Sequence, residues 1–372
     1  MSGIVDLESQ SADFADITDL LQKLESSGAP EGLKEECRKM IVRVYRMAKK
    51  GSYSSEYETT AKYIDWVTRI PWGVYSEDHV NLENIKTELD RYHYGLGKVK
   101  ERILSYMAVI KLRHDTDVQS TSSGMTTSYI RPPVLCFVGL QGLGKTTIAQ
   151  SISQALNRKY ERISLAAFGN ISQLRGMSKS MQDSEPGQII QAICRAGTMN
   201  PVILLDEIDK ASNMEAVRAD IMAALLEILD PAQNNMFSDR YLNYPLDLSK
   251  IFFITTANTL GTITTALLDR LEVIRFTSYS DEEKVFIAKN YVLPRVFKDS
   301  GLQPEQMKID DNAWPAIVRP MGFDAGIRQL ERTMMNLARK TALEIMTNKS
   351  TGVTITLENV RQYLPDDVNV IG

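Results

Sequence analysis

The sequence predicts an α/β fold on a parallel sheet, preceded by a helical N-terminal segment and followed by a small helical domain. Three observations carry that prediction. Five short apolar runs lie between residues 134 and 276 with helix-length segments between them, the pattern of a parallel sheet covered on both faces. Before residue 85 the apolar positions recur at helical spacing, and beyond 277 the short runs give way to helical patterns again. The 372 residues therefore divide into a helical segment 1–85, an α/β domain 86–277 and a small helical domain 278–372.

Taken in order, "EGLKEECRKMIVRVYRMAKK" is an amphipathic helix, and "SYSSEYETTAKYIDWVTRI" a second that ends at Pro71. "LENIKTELDRYHYGLGKVKERILSYMAVIKL" reads as two helices separated by "YHYGLG". The Ser- and Thr-rich stretch 113–131 has no apolar period and reads as a flexible surface loop, closed by prolines. The strands expected next are "VLCFV" (134–138), "YERISL" (160–165), "PVILLDE" (201–207), "IFFITTAN" (251–258) and "LEVIRF" (271–276). "DEEKVFIAKNYVLPRVF", "DDNAWPAIVRPM" and "DAGIRQLERTMMNLARKTALEIM" complete the chain as helices.

Composition narrows the class. With 43% hydrophobic and 24% charged residues the chain is that of a soluble globular protein. A net charge of −4 gives no basic footprint, so nucleic acid is not the favoured partner. Cys37, Cys136 and Cys194 are odd in number and widely spaced, which suits buried thiols in a reducing compartment. His79, His93 and His114 show no ligand spacing with them, so neither residue type marks a metal site. The acidic N-terminus lacks the pattern of a secretion signal, and no window approaches 18 consecutive apolar residues. A cytoplasmic protein that does not enter the membrane is expected.

The chemistry begins at "GLQGLGKT" (139–146), which fits the phosphate-loop pattern G-x-x-x-x-G-K-[ST] between a strand and a helix. Successive backbone N–H groups can surround a triphosphate only where side chains are absent, a need met by Gly139, Gly142 and Gly144. Leu140, Gln141 and Leu143 supply the intervening amides, and Thr147 continues the opening helix. Lys145 is placed to reach the β- and γ-phosphates, and the Thr146 hydroxyl to hold Mg²⁺. The strand "PVILLDE" then delivers two carboxylates at a strand's C-terminal end, where doubly wound sheets bind ligands. Asp206 suits Mg²⁺, directly or through water, and Glu207 suits activation of the attacking water. Asn258 ends another strand and could sense the γ-phosphate or position that water, although a turn asparagine is also commonplace.

These residues in this order resemble the AAA+ ATPases. "HYGLGKVKERILSYMAV", "GQIIQAICRAGTMNPVILLDEIDK", "ALLDRLEVIRF" and "GFDAGIRQLERTMMNLARK" further resemble the ATPase module of the Lon proteases, over roughly residues 30–365. The resemblance implies ATP and Mg²⁺ as cofactors and a homo-oligomeric ring, usually of six subunits, with nucleotide held between neighbours. It implies that Tyr94 lies against the adenine, Asn258 is the first sensor, Arg270 is an arginine finger acting on the adjacent subunit, and Arg328 is the second sensor. Without the resemblance, Arg270 and Arg328 would read as surface ion pairs.

The sequence departs from the family pattern in three places. Leu140-Gln141 stands where Lon proteases usually have two prolines, which softens the turn without removing a phosphate-contacting group. In the stretch 175–187, the family's central pore loop, Met177, Ser178 and Lys179 are followed by Met181 and Gln182, where the family has basic residues and then an aromatic–aliphatic pair. Finally, P-S-A-G, the context of the family's nucleophilic serine, occurs nowhere in the 372 residues, so no peptidase site is expected in this chain. The expected function is ATP-driven remodelling or unfolding of protein substrates, alone or with a separate Lon-like peptidase. The alternative is a nucleotide-gated regulatory or structural subunit of a Lon-like ring that threads nothing.

Overall fold

The computed structural model describes residues 15–49, 55–77, 81–121, 134–181, 183–319, 326–348 and 351–364. They form two compact units that interleave along the chain. The first takes in the described residues of Met1–Ile85, Met107–Cys136 and Ala149–Val273, and the second those of Lys86–Tyr106, Phe137–Ile148 and Ile274–Gly372.

The strands are β1 (Val134–Val138), β2 (Tyr160–Ser164), β3 (Val202–Asp206), β4 (Phe237–Ser238) and β5 (Pro245–Leu246). They continue with β6 (Phe252–Ala257), β7 (Leu271–Arg275), β8 (Met307–Ile309) and β9 (Val353–Ile355). One five-stranded sheet has the order β2-β3-β6-β1-β7. Its β2–β3 and β3–β6 pairings are parallel, with Ser164 opposite Asp206 and Leu205 opposite Thr255. Every residue of β3 is buried, so a charged side chain at its end must find partners on the flanking strands. All five strands agree with the apolar runs to within one residue at each end.

In the first unit three helices, Ala15–Ser26, Glu31–Ala48 and Ser55–Arg69, bury the apolar faces read from the sequence. Leu33, Cys37, Ile41 and Val44 recur at helical spacing on one buried side. Tyr63 then donates its buried hydroxyl to the Leu242 carbonyl (2.8 Å), and the Met199 N–H donates to the Val74 carbonyl (2.7 Å). These bonds join the N-terminal helices to the segments around the sheet within one unit.

In the second unit the helices Asp281–Ile287, Leu293–Ser300 and Arg328–Asn348 close a core around Trp314, Met334, Leu337 and Ile355. The first of these helices starts with a capping box. Ser280 Oγ accepts the Glu283 N–H (3.2 Å), while Glu283 Oε2 accepts the Ser280 N–H (2.9 Å).

Three features escaped the sequence. The hairpin β4–β5 and the parallel pair β8–β9 went unread because two- or three-residue strands are too short to show a period. The stretch read as a loop from 113 is helical as far as Thr121, in the helix Gly97–Thr121. Ser, Thr and Asp cost only about 0.5 kcal/mol each in a helix already under way. The remainder of that expected loop lies outside the described residues.

Candidate functional site

The phosphate loop belongs to the second unit. Beyond Val138 the backbone turns through residues 139–144, and a helix begins at Lys145. Gly142 and Gly144 have φ of +82° and +88°, which a side chain would strain. A Cβ on Gly142 would also stand 3.3 Å from both Gly326 Cα and the Ile327 nitrogen. The approach is close from both sides, since a Cβ on Gly326 would meet the Gln141 carbonyl oxygen at 2.5 Å. The Ile327 N–H donates to the Gly142 carbonyl (3.1 Å). The start of the helix Arg328–Asn348 is thereby fastened to the loop, and Arg328 arrives with it.

Lys145 is buried, and its Nζ donates to the carbonyls of Gly139 and Leu140, the latter at 3.1 Å. Leu143 is buried, while Leu140 and Gln141 are exposed. Thr146 occupies the first turn of the helix, and Thr147 donates its hydroxyl to the Gly144 carbonyl (2.9 Å). The unpaired N–H groups and positive end of such a helix favour an anion.

The "HYGL" turn lies in this same unit. Gly95 has φ of +67°, and a Cβ there would come within 2.6 Å of Glu283 Oε1. Tyr94 stacks on Phe286 with centroids 3.9 Å apart and planes at 20°. His93 is buried beside the loop, its Nδ1 3.9 Å from where a Gly144 Cβ would stand. Burial, with Lys100 nearby, lowers its pKa to about 4, although a hydrogen bond with the Thr147 backbone opposes the shift.

The acidic strand end belongs to the first unit. Asp206 is buried, and its Oδ2 accepts Arg162 Nε and Nη2 at 2.8 and 2.5 Å. Its Oδ1 accepts the hydroxyl of Thr256. Glu207 adopts φ 57° and ψ 50°, a left-handed conformation that costs a non-glycine residue about 1–2 kcal/mol. Its backbone is held at both ends. The N–H donates to Thr256 Oγ1 (2.9 Å), and the carbonyl accepts the Lys210 N–H (2.9 Å). Lys210 Nζ pairs with Glu207 Oε1 at 2.7 Å.

Asn258 follows β6. Beyond it the Thr259 N–H donates to Asp209 Oδ2 (3.2 Å), and the Thr262 hydroxyl donates to the Asp209 carbonyl (3.0 Å). Arg270 is engaged by Asp230, with Nη2 to Oδ2 at 3.5 Å. The Asp230 carboxyl is held below its ordinary range chiefly by the Ala232 N–H, against the effect of burial, with Gln233 and Arg270 adding to the shift.

Sequence reasoning missed Thr256, Arg162, Lys210, His93 and Gly326. The first two were available in principle. A buried carboxylate ending a central strand needs donors from both neighbouring strands, and a parallel register points to β2 and β6. Lys210 had a local signal too, three residues after Glu207 in a one-turn helix. His93 and Gly326 act through close tertiary approach, which spacing does not show.

The loop 175–187, also in the first unit, is pinned at its base. The Asp239 carboxylate, wholly buried, accepts the N–H groups of Gly187 (2.8 Å), Tyr241 (2.8 Å) and Leu242 (3.1 Å). A Cβ on Gly176 would stand 2.7 Å from its Oδ1. Burial outweighs those three donors and pushes the Asp239 pKa up to about 6. Across the neck the Met177 N–H donates to the Glu185 carbonyl (3.1 Å). Lys179 Nζ sits 4.3 Å from the Tyr63 ring centroid, whereas Met181 is exposed. Gln182 lies outside the described residues.

Comparison with known proteins is consistent across the chain. Residues 135–279 match the AAA model, the ATPase family associated with various cellular activities, and residues 298–353 match the Lon protease AAA+ ATPase lid domain. The chain is 42% identical over 349 residues to Lon protease 2 of Thermus thermophilus, covering 94% of this chain and 42% of that protein. It is 41% identical over 350 residues to the Lon protease of Nitrosococcus oceani, with coverage of 94% and 43%. The Lon protease of Dictyoglomus thermophilum is 42% identical over 350 residues, with coverage of 94% and 42%. The chain thus spans about two fifths of the length of the curated relatives it matches.

Proposed function

This chain belongs to the Lon protease family, whose AAA+ ATPase module it carries, and we propose that it binds and hydrolyses ATP to remodel or unfold protein substrates. The observation that carries the proposal is the phosphate loop. Its glycines at 142 and 144 hold a left-handed backbone that a side chain would strain, and it runs into a helix whose first residue is a buried lysine.

ATP suits this loop because backbone amides from Gly139 to Thr147 are its main resource, and a Cβ at Gly142 would meet neighbouring backbone. Lys145 exchanges its neutral carbonyl partners for anionic phosphate oxygens, a stronger pairing because both donor and acceptor are then charged. For magnesium the donors are hard oxygens, the Thr146 hydroxyl and the Asp206 carboxylate. Among the described residues no group of three His, Cys, Asp or Glu side chains could hold a metal alone; phosphate oxygens and water would complete the set around magnesium. When bound, Mg²⁺ neutralises charge developing on the β- and γ-phosphates.

Glu207 orients the attacking water and takes its proton, and Asn258 holds that water in place. Arg270 acts from a neighbouring copy in a ring, usually of six, and Arg328 acts on the phosphates of its own loop. Tyr94 flanks the adenine, with Phe286 at its other face.

The direct test is Glu207→Gln. Affinity for ATP should stay within about twofold while turnover falls at least ~100-fold, the range for loss of a general base. Turnover at the wild-type rate would remove Glu207 from its role.

A second reading has its own observation. Lys179 of the loop 175–187 packs against the N-terminal helices rather than standing free, which suits a nucleotide-gated regulatory subunit that threads nothing. An ATPase rate raised severalfold by denatured protein supports the unfoldase, and an indifferent rate supports the regulator.

A further inference from the structure

We propose that Thr256 is a positioning residue for hydrolysis, its one hydroxyl joining the two strand-end carboxylate residues into a single unit. The proposal deepens the ATPase reading and rests on it.

Thr256 is fully buried on β6, and the parallel register carries it alongside the end of β3. Its hydroxyl has one proton, which goes to Asp206 Oδ1. Toward the Glu207 N–H at 2.9 Å it can therefore only accept. Each bond fixes the direction of the other, and chained hydrogen bonds of this kind strengthen one another away from water.

The consequence for Glu207 is specific. A left-handed glutamate persists only where its surroundings over-determine it. Thr256 anchors its N–H, and the one-turn helix Ile208–Lys210 anchors its carbonyl. Without the hydroxyl, the turn at 207 loses the bond that ties it to the sheet, and the carboxylate moves with the backbone that carries it. Asp206 is affected differently, because Arg162 still holds its other oxygen. The hydroxyl therefore matters more for aiming Glu207 than for holding Asp206.

The test compares Thr256→Val, which replaces the hydroxyl by a methyl at nearly equal volume, with Thr256→Ser, which keeps it. In the valine variant turnover should fall at least tenfold. Binding of a fluorescent ATP analogue measured without magnesium should stay within twofold, because the phosphate loop is untouched. The Glu207 amide, followed by hydrogen exchange in the nucleotide-free protein, should exchange at least tenfold faster. Serine should restore both turnover and protection.

A folded valine variant that hydrolyses ATP at the wild-type rate, or that protects the Glu207 amide as well as wild type does, overturns the proposal. If the valine variant does not fold, the wild-type protein decides. A Glu207 amide that exchanges as fast as an exposed one shows the bridge is not made, whereas a protected one supports it. Failure of the wild-type protein to hydrolyse ATP defeats the ATPase reading instead, and the exchange comparison still decides whether the hydroxyl holds Glu207.

Discussion

The phosphate loop and the acidic strand end solve opposite problems. The loop must present bare amides, so it relies on residues that lack side chains and on a close-packed backbone neighbour at Gly326. The strand end must hold a buried carboxylate, Asp206, beside a half-buried one, Glu207, so it relies on hydrogen-bond partners. Arg162 and Thr256 give hydrogen bonds to Asp206, and Thr256 also accepts the Glu207 N–H. A steric site of the first kind fails when an atom is added. A polar site of the second kind fails when a donor is taken away.

Lys145→Ala should break the contrast most strongly, because it removes the phosphate loop's one charged donor. ATP affinity by calorimetry should weaken about 100-fold, near 2.7 kcal/mol. Acid comes next. His93 has a folded pKa of about 4, below its ordinary 6.5, so the stability it supports is full above 6.5 and is lost as pH falls toward 4. At pH 5 that loss is about 2 kcal/mol, visible as a lower unfolding midpoint than at pH 7.5, and His93→Phe should flatten the dependence.

Adding one carbon at Gly326 should weaken ATP about tenfold, since the Gln141 carbonyl must shift and misplacement of a binding group is costly. The same measurement on Lys210→Met should show unchanged affinity. Its turnover should rise about two- to fivefold, as expected for release of a partly exposed ion pair. A fall in turnover would instead make Lys210 a supporting donor, sharpening the contrast in the other direction.

What the sequence disclosed follows the same division. Strand boundaries were legible because parallel strands buried on both faces are continuous apolar runs, and the phosphate loop because its glycines and lysine are local. The partners of Asp206 were not, since Arg162 and Thr256 lie far along the chain and only strand register unites them. The helix as far as Thr121 was hidden by a Ser- and Thr-rich composition. The strands β8 and β9 were hidden by their length. Phe286 beside Tyr94 gave no warning either, because one aromatic in a helix reads as ordinary core.

The grip of Asp239 on the foot of the 175–187 loop has a practical corollary. Because one carboxylate clasps the Gly187 amide and lies against Gly176, the stem is fixed independently of what the tip spells. Exposed Met181 at the tip can therefore be rewritten while the socket stays intact. Transplanting an aromatic–aliphatic tip in place of Met181 and Gln182 should leave the unfolding midpoint unchanged.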